Sequence, residues 1–214
     1  PHAAMAQALL LIACQYKGIY VDANAISPAS AIRMGELCTQ AGMQFVDGGI
    51  IGLPAIRAGT TWLYLSGNQA ETVAQCFANG PFETRVIGTE AGQASALKIC
   101  FAAWNKGKTA LFTAVLAAAH AMDVKDALEA QWELGEPGFA QAAEQRVCEV
   151  ARKAWRFSGE MEEIAATLEH CNVPGDFFLG AAEIYRRQSG YKNTASAPAL
   201  EEVLEQVSKP GKTV

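Results

Sequence analysis

Lys98 stands in the run Gly92-Gln-Ala-Ser-Ala-Leu-Lys-Ile-Cys-Phe-Ala-Ala-Trp-Asn-Lys-Gly107, flanked by Leu97, Ile99, Cys100 and Phe101. Apolar surroundings disfavour an ammonium and bring a lysine towards the range useful for proton transfer near neutral pH. A lysine whose stem packs while its head reaches water would look the same in sequence, and the segment alone leaves both readings open. Upstream lie two stretches of interest, the second glycine-bearing: Val21-Asp-Ala-Asn-Ala-Ile-Ser-Pro28 and Phe45-Val-Asp-Gly-Gly-Ile-Ile-Gly52. Gly48, Gly49 and Gly52 permit either a close backbone approach to a ligand or a turn with positive φ. Asn24 suits a polar contact to a ligand, and equally a helix entry before Pro28.

The elements that must carry these residues change character along the chain. Ala4 to Gln15 reads as helix, Ile19 to Ala23 as strand, and Pro28 to Gln40 as helix closed by Gly42. Gln44 to Asp47 reads as a strand, followed by a turn-rich stretch through Gly48, Gly49, Gly52 and Pro54. Thr60 to Ser66 is β-branched and aromatic, Gln69 to Ala78 is helical, and Thr84 to Ile87 is a short strand. After Gly88 helical spacing takes over through 91–122, 124–134 and 139–157, with Asp123 as a helix start. Pro174 opens a helix through Phe177 to Arg187, and a short helix spans Pro198 to Val207. The expected fold is α/β followed by all-α, divided as 1–90 and 91–214. Trp132, Trp155 and Tyr185 are expected to fill the core between helices, and His120 and His170 to be structural.

Composition narrows the function classes. The 214 residues carry a formal net charge of -5 and no basic block, which disfavours nucleic acid as a partner. The apolar run Ala3 to Cys14 is too short to span a bilayer. Six scattered cysteines without a C-x-x-C pair argue for reduced thiols in a cytoplasmic protein and offer no metal site. An open α/β sheet that binds a dinucleotide normally starts on a strand and a G-x-G-x-x-G turn, and these 214 residues contain no such turn. The expectation is therefore a chain that is a piece of something longer.

In order, Val21 to Pro28, Phe45 to Gly52, Leu65-Ser-Gly67, Lys98 and Lys153-Ala-Trp-Arg-Phe-Ser-Gly-Glu-Met-Glu-Glu163 resemble the β-hydroxyacid dehydrogenases, relatives of 6-phosphogluconate dehydrogenase, and most closely a little-characterised branch. The resemblance covers nearly the whole chain. It implies the second half of a Rossmann-type sheet and a helical C-terminal domain that commonly builds a homodimer, with the site at the domain junction. It implies hydride transfer between NAD or NADP and a small alcohol or carbonyl compound, with Lys98 supplying or accepting the proton. It places substrate contacts at Gly49, Ile51, Gly52, Trp104, Asn105 and Glu160, and cofactor contacts at Pro1, Asn24 and Gly92, the pyrophosphate-binding part preceding Pro1.

Several positions depart from that pattern. Ile51 stands where a serine is common, Ala94 replaces a glycine, and Ala102 replaces an asparagine, for which Asn105 is a substitute because i+7 returns to the same helix face. Glu160-Met161 stands where a Lys-Asp pair is common, which removes a positive charge. The competing reading is a noncatalytic dimerising fragment or interaction module that does not bind cofactor by itself.

Overall fold

The computed structural model describes residues 3–209. The chain divides after Phe101 into two compact units. In the first, α1 (Ala4–Ala13), β1 (Ile19–Asp22), α2 (Pro28–Gln40), β2 (Gln44–Gly52), β3 (Thr61–Ser66), α3 (Ala70–Cys76) and β4 (Glu83–Gly88) build a four-stranded sheet in the order β1-β2-β3-β4. β1 and β2 are parallel and joined through α2, and β3 and β4 are parallel and joined through α3. β2 and β3 run antiparallel.

Alternation along β2 explains the layering. Phe45 faces one side with Ala4, Ala8, Met34, Cys38 and Met43 from α1, α2 and the turn after α2. Its neighbour Val46 faces the other with Leu63, Leu65, Ala70 and Val73. A period of two thus puts helices on both faces of the sheet. α2 starts where Pro28 follows Ser27, whose hydroxyl accepts the Ser30 N–H at 3.2 Å.

The expected turn at Gly48 and Gly49 is instead the middle of β2, paired with Leu65 and Tyr64 of β3. Two buried glycines belong in that strand because other backbone lies against it. A Cβ on Gly48 would sit 3.1 Å from the Asp22 carbonyl oxygen, and one on Gly49 2.7 Å from that of Ala94.

The second unit holds the remainder of α4 (Gln93–Ala121), with α5 (Lys125–Gly135), α6 (Phe139–Ala151), α7 (Ala154–His170), α8 (Asp176–Arg187), a 3-10 turn at Ser189–Tyr191, and α9 (Leu200–Ser208). Leu116 and Ala117 of α4, Val147 and Ala151 of α6, and Val203, Leu204 and Val207 of α9 share one core. α7 and α8 pack side by side, with Phe157 edge-on to the fully buried Tyr185 at 5.4 Å. The helix expected over 139–157 breaks at Arg152-Lys153, because α6 buries its face with α4 and α9 whereas α7 buries its own with α8. Asp123 adopts φ 57° as the link after α4, a conformation short polar side chains tolerate, and α5 begins two residues later. Trp155 is not core: it is 44% exposed, with the Lys192 Nζ 3.9 Å from its ring centre. Trp132 is partly buried against Phe139.

Lys125 Nζ reaches Glu129 Oε1 and Glu144 Oε1, each at 2.7 Å, and ties α5 to α6. Burial works against the Lys125 ammonium, but the two carboxylates outweigh it and raise the amine above its ordinary value. Glu144 is held below the usual carboxylate range: burial pushes it up, but Lys125 and Glu129 pull it lower. Glu129 is pushed up, first by burial, against the pull of Lys125. The Glu144 contribution is present above its unfolded value and lost as pH falls through its folded one. Glu129 acts in the opposite sense, favouring the fold at low pH and losing that as pH rises. Lys125→Met leaves two facing carboxylates without their shared cation. We expect a loss of about 1 kcal/mol at pH 7, shrinking as pH falls through the carboxylate range, read from urea denaturation at several pH values.

Candidate active site

The first unit gathers a polar cluster on a single rung of the sheet. Asp22 of β1 pairs in register with Asp47 of β2, and Asp47 with Ser66 of β3. All three are buried, at 1%, 0% and 0% exposure, so each must find its partners inside the protein. Asp47 finds them at the start of α4. Its Oδ2 accepts the Ser95 backbone N–H at 2.8 Å, its Oδ1 accepts the Ser95 hydroxyl at 2.6 Å, and the Ser66 hydroxyl donates to it at 3.4 Å. Ser66 Oγ in turn accepts the Ala94 N–H at 3.1 Å. Two amides that a helix leaves unpaired in its first turn are thus satisfied from the sheet, and a carboxylate sits where the helix dipole favours negative charge.

Asp22 is satisfied locally. Its Oδ1 accepts the Asn24 side-chain amide at 2.7 Å and the Tyr20 hydroxyl at 3.3 Å, and its Oδ2 accepts the Asn24 backbone N–H at 3.3 Å. Burial, then the Asp22 charge, push the Tyr20 phenol up to about 12, so it remains a neutral donor.

Lys98 lies one turn along α4 from this anchor and is half-buried. Burial lowers its amine from the ordinary lysine range, while the charges of Asp22 and Asp47 pull back towards the ammonium. The position of a Cβ on Gly49 lies 3.5 Å from the Lys98 Cβ, so strand and helix meet closely here. Alternation puts Ile51 on the same face of β2 as Asp47 and Gly49, half-buried and paired with Trp62. Gly52 ends the strand, exposed, at φ 130°.

Among the cofactor-contact residues, Asn24 is exposed just past the carboxyl end of β1 and holds Asp22, while Ser27 performs the helix entry. Gly92 has a structural reason of its own. It takes φ 95° before α4, and a Cβ there would come within 2.9 Å of Ile32 Cγ1 and 3.1 Å of the Pro28 carbonyl oxygen. Pro1 lies outside the described residues.

The other expected site residues sit in the second unit. Trp104 is 68% exposed, with Lys108 Nζ 5.2 Å from its ring centre. Asn105 is half-buried, and its carbonyl accepts the Thr109 hydroxyl at 2.9 Å. Glu160 is ion-paired with Lys106, whose ammonium also lies 4.5 Å from the centre of the Phe157 ring. The Lys106 carbonyl accepts the Tyr185 hydroxyl at 2.7 Å. An apolar hollow of about 330 Å³, lined by Leu111, Phe177 and Ile184 among others, has Asp176 as its charged member.

Sequence reasoning singled out Lys98 and Gly49, which the fold brings together, but not Asp47, Asp22, Ser66, Ser95 or Lys106. A signal for the two aspartates was present: each closes an apolar strand run, Ile19-Tyr-Val-Asp22 and Phe45-Val-Asp47, where a carboxylate is costly unless employed. Among the described residues no group of His, Cys, Asp or Glu is arranged to hold a metal ion, and no helix is long and apolar enough to cross a membrane. All six cysteines are free thiols.

Comparison with known proteins agrees with this architecture. Residues 119–188 match a family model described as a domain of unknown function (DUF1932). No curated protein matches. A conserved hypothetical protein from Sinorhizobium meliloti is 19% identical with a TM-score of 0.78, over 96% of this chain and 71% of that one. A conserved protein of unknown function, described as structurally similar to 3-hydroxyacid dehydrogenases, is 26% identical with a TM-score of 0.70, over 89% of this chain and 74% of that one. The 3-hydroxyisobutyrate dehydrogenase from Salmonella typhimurium is 16% identical with a TM-score of 0.61, over 87% and 68%. The chain has the fold of the 3-hydroxyacid dehydrogenases, with their helical C-terminal part. Within that part it carries a DUF1932 domain.

Gly49→Ala tests how closely the sheet meets α4. The added methyl group meets the Ala94 carbonyl oxygen, which is helix backbone and cannot rotate away. We expect a loss of about 1–3 kcal/mol in chemical denaturation, as for overpacked cores.

Proposed function

We propose that this chain is the proton-handling part of an NAD(P)-dependent oxidoreductase acting on a small alcohol or carbonyl compound, with Lys98 as general acid and base. The observation that carries the reading is a half-buried lysine whose amine is lowered by burial, beside two fully buried carboxylates, on the fold of the 3-hydroxyacid dehydrogenases. Such an amine exchanges a proton near neutral pH more readily than an ordinary lysine. Bound NAD(P) supplies or accepts the hydride. Lys98 donates its proton to the oxygen of a carbonyl being reduced, or takes the hydroxyl proton of an alcohol being oxidised.

The residues present fit one end of that cofactor. Asn24 is exposed at the carboxyl end of a parallel strand, where open α/β sheets bind ligands, and its amide is oriented by Asp22. A glycine-rich pyrophosphate turn is not among these 214 residues. Ile51, on the strand face that carries Gly49, offers an apolar contact where a serine would offer a hydroxyl, which favours a substrate with an apolar group at that point.

In a chain extended at its N-terminus and active with NAD(P)H, Lys98→Ala should lower kcat/KM by about 10²–10⁴-fold. Lys98→Arg, which retains charge but does not release a proton in this range, should not restore it. Unchanged turnover in Lys98→Ala would remove the lysine from the chemistry. The lowered amine also fixes the sign of the pH dependence. Alcohol oxidation should rise to a plateau with a midpoint below the ordinary lysine range, and carbonyl reduction should fall through the same midpoint.

The alternative, a noncatalytic module, is separated by titration with NADPH and NADH. Saturable binding by the extended chain supports the oxidoreductase, and no binding by that chain to either cofactor supports the module.

A further inference from the structure

Asp22 and Asp47 lie side by side at 1% and 0% exposure, and the hydrogen-bond donors they meet are neutral: two amides and a hydroxyl for Asp22, an amide and two hydroxyls for Asp47. Neutral donors relieve part of the cost of burying a carboxylate, and two adjacent buried carboxylates also repel one another. Positive potential reaches them from two sources on one element: the amino end of α4, through the Ala94 and Ser95 amides, and the Lys98 side chain one turn later. The anchor that sets the first turn of α4 is therefore also a counter-charge for the lysine on its second.

We propose that Asp47, with Asp22 beside it, is the positioning residue of the Lys98 site: it ties the start of α4 to β2 and sets a buried negative charge on the strand face against which the Lys98 turn of α4 packs. The proposal rests on Lys98 being the proton carrier, and it deepens that reading by naming what governs its charge state. Asp22 and Asp47, paired on adjacent strands, are the charged groups that act on Lys98, and Tyr20 donates its neutral hydroxyl to Asp22. Without the carboxylates, burial acts on the amine unopposed and the proton is released at lower pH.

The test reads the charge of Lys98 directly and needs no turnover. The folded chain is labelled with a trace of an amine-acylating reagent across a pH series, and each lysine is followed by peptide mass spectrometry, with Lys125 and Lys192 as internal references. Asp22→Asn and Asp47→Asn should each move the Lys98 midpoint to lower pH while the reference lysines stay in place. At a fixed pH below the wild-type midpoint, Lys98 should then label severalfold faster. Ser95→Ala removes a hydrogen bond from Asp47 but leaves its charge, and should move the midpoint less than Asp47→Asn does. Unmoved midpoints in both Asn variants, with unchanged reference lysines, would overturn the proposal. If Asp47→Asn does not fold, Asp22→Asn decides alone by the same criterion. A moved midpoint together with full activity in Lys98→Ala would uphold this coupling and sink the catalytic role. Loss of activity in Lys98→Ala with unmoved midpoints would do the reverse.

Discussion

The carboxylate of Asp47 accepts both the backbone amide and the hydroxyl of Ser95, and through that pair the start of a 29-residue helix is fixed to the middle of a sheet. A helix begins with amides that have no intrahelical partner, and a buried strand carboxylate has no water. Each resolves the other's deficit. Ser66, one strand over, repeats the arrangement with the neighbouring amide of Ala94, so two successive amides of one turn are held from two adjacent strands. The direction in which α4 leaves the sheet, and with it the place of Lys98, depends on this contact.

The same contact explains the glycine in β2. For the Ser95 amide to come within 2.8 Å of Asp47, the preceding carbonyl of Ala94 must lie over the next residue on that strand face, which is Gly49. A side chain there would hold the helix away from the carboxylate. Asp47, Gly49, Ser95 and Lys98 are therefore parts of one geometric condition, and a change at any of them is felt at the others. The lysine inherits an electrostatic environment in which burial and two carboxylates act in opposite directions, and burial prevails.

Much of the fold is legible in local pattern. The apolar and β-branched runs mark the four strands, Pro28 and Gly42 bound α2, and the change of composition after Gly88 announces the helices. The failures have physical causes. Glycines read as punctuation because their local conformational freedom is visible in sequence, whereas the backbone of Ala94 against Gly49, 45 positions later, is not, and so the strand through Gly48 and Gly49 reads as a turn. The break between α6 and α7 is silent for another reason. Ala143, Val147, Val150, Ala151, Ala154, Phe157, Met161 and Ile164 keep helical phase across it, yet the buried faces before and after it serve different partners.

Residue type and order alone determined that a lysine with apolar neighbours follows an α/β half, and that helices follow it, because hydrophobic periodicity and turn chemistry are local properties. Only the tertiary structure decided that Asp22 and Asp47 lie on one rung of the sheet, and that Asp47 binds the helix carrying that lysine. Strand register and helix placement are set by long-range packing and by the need to satisfy every buried polar group at once, and neither is written in any contiguous stretch of the chain.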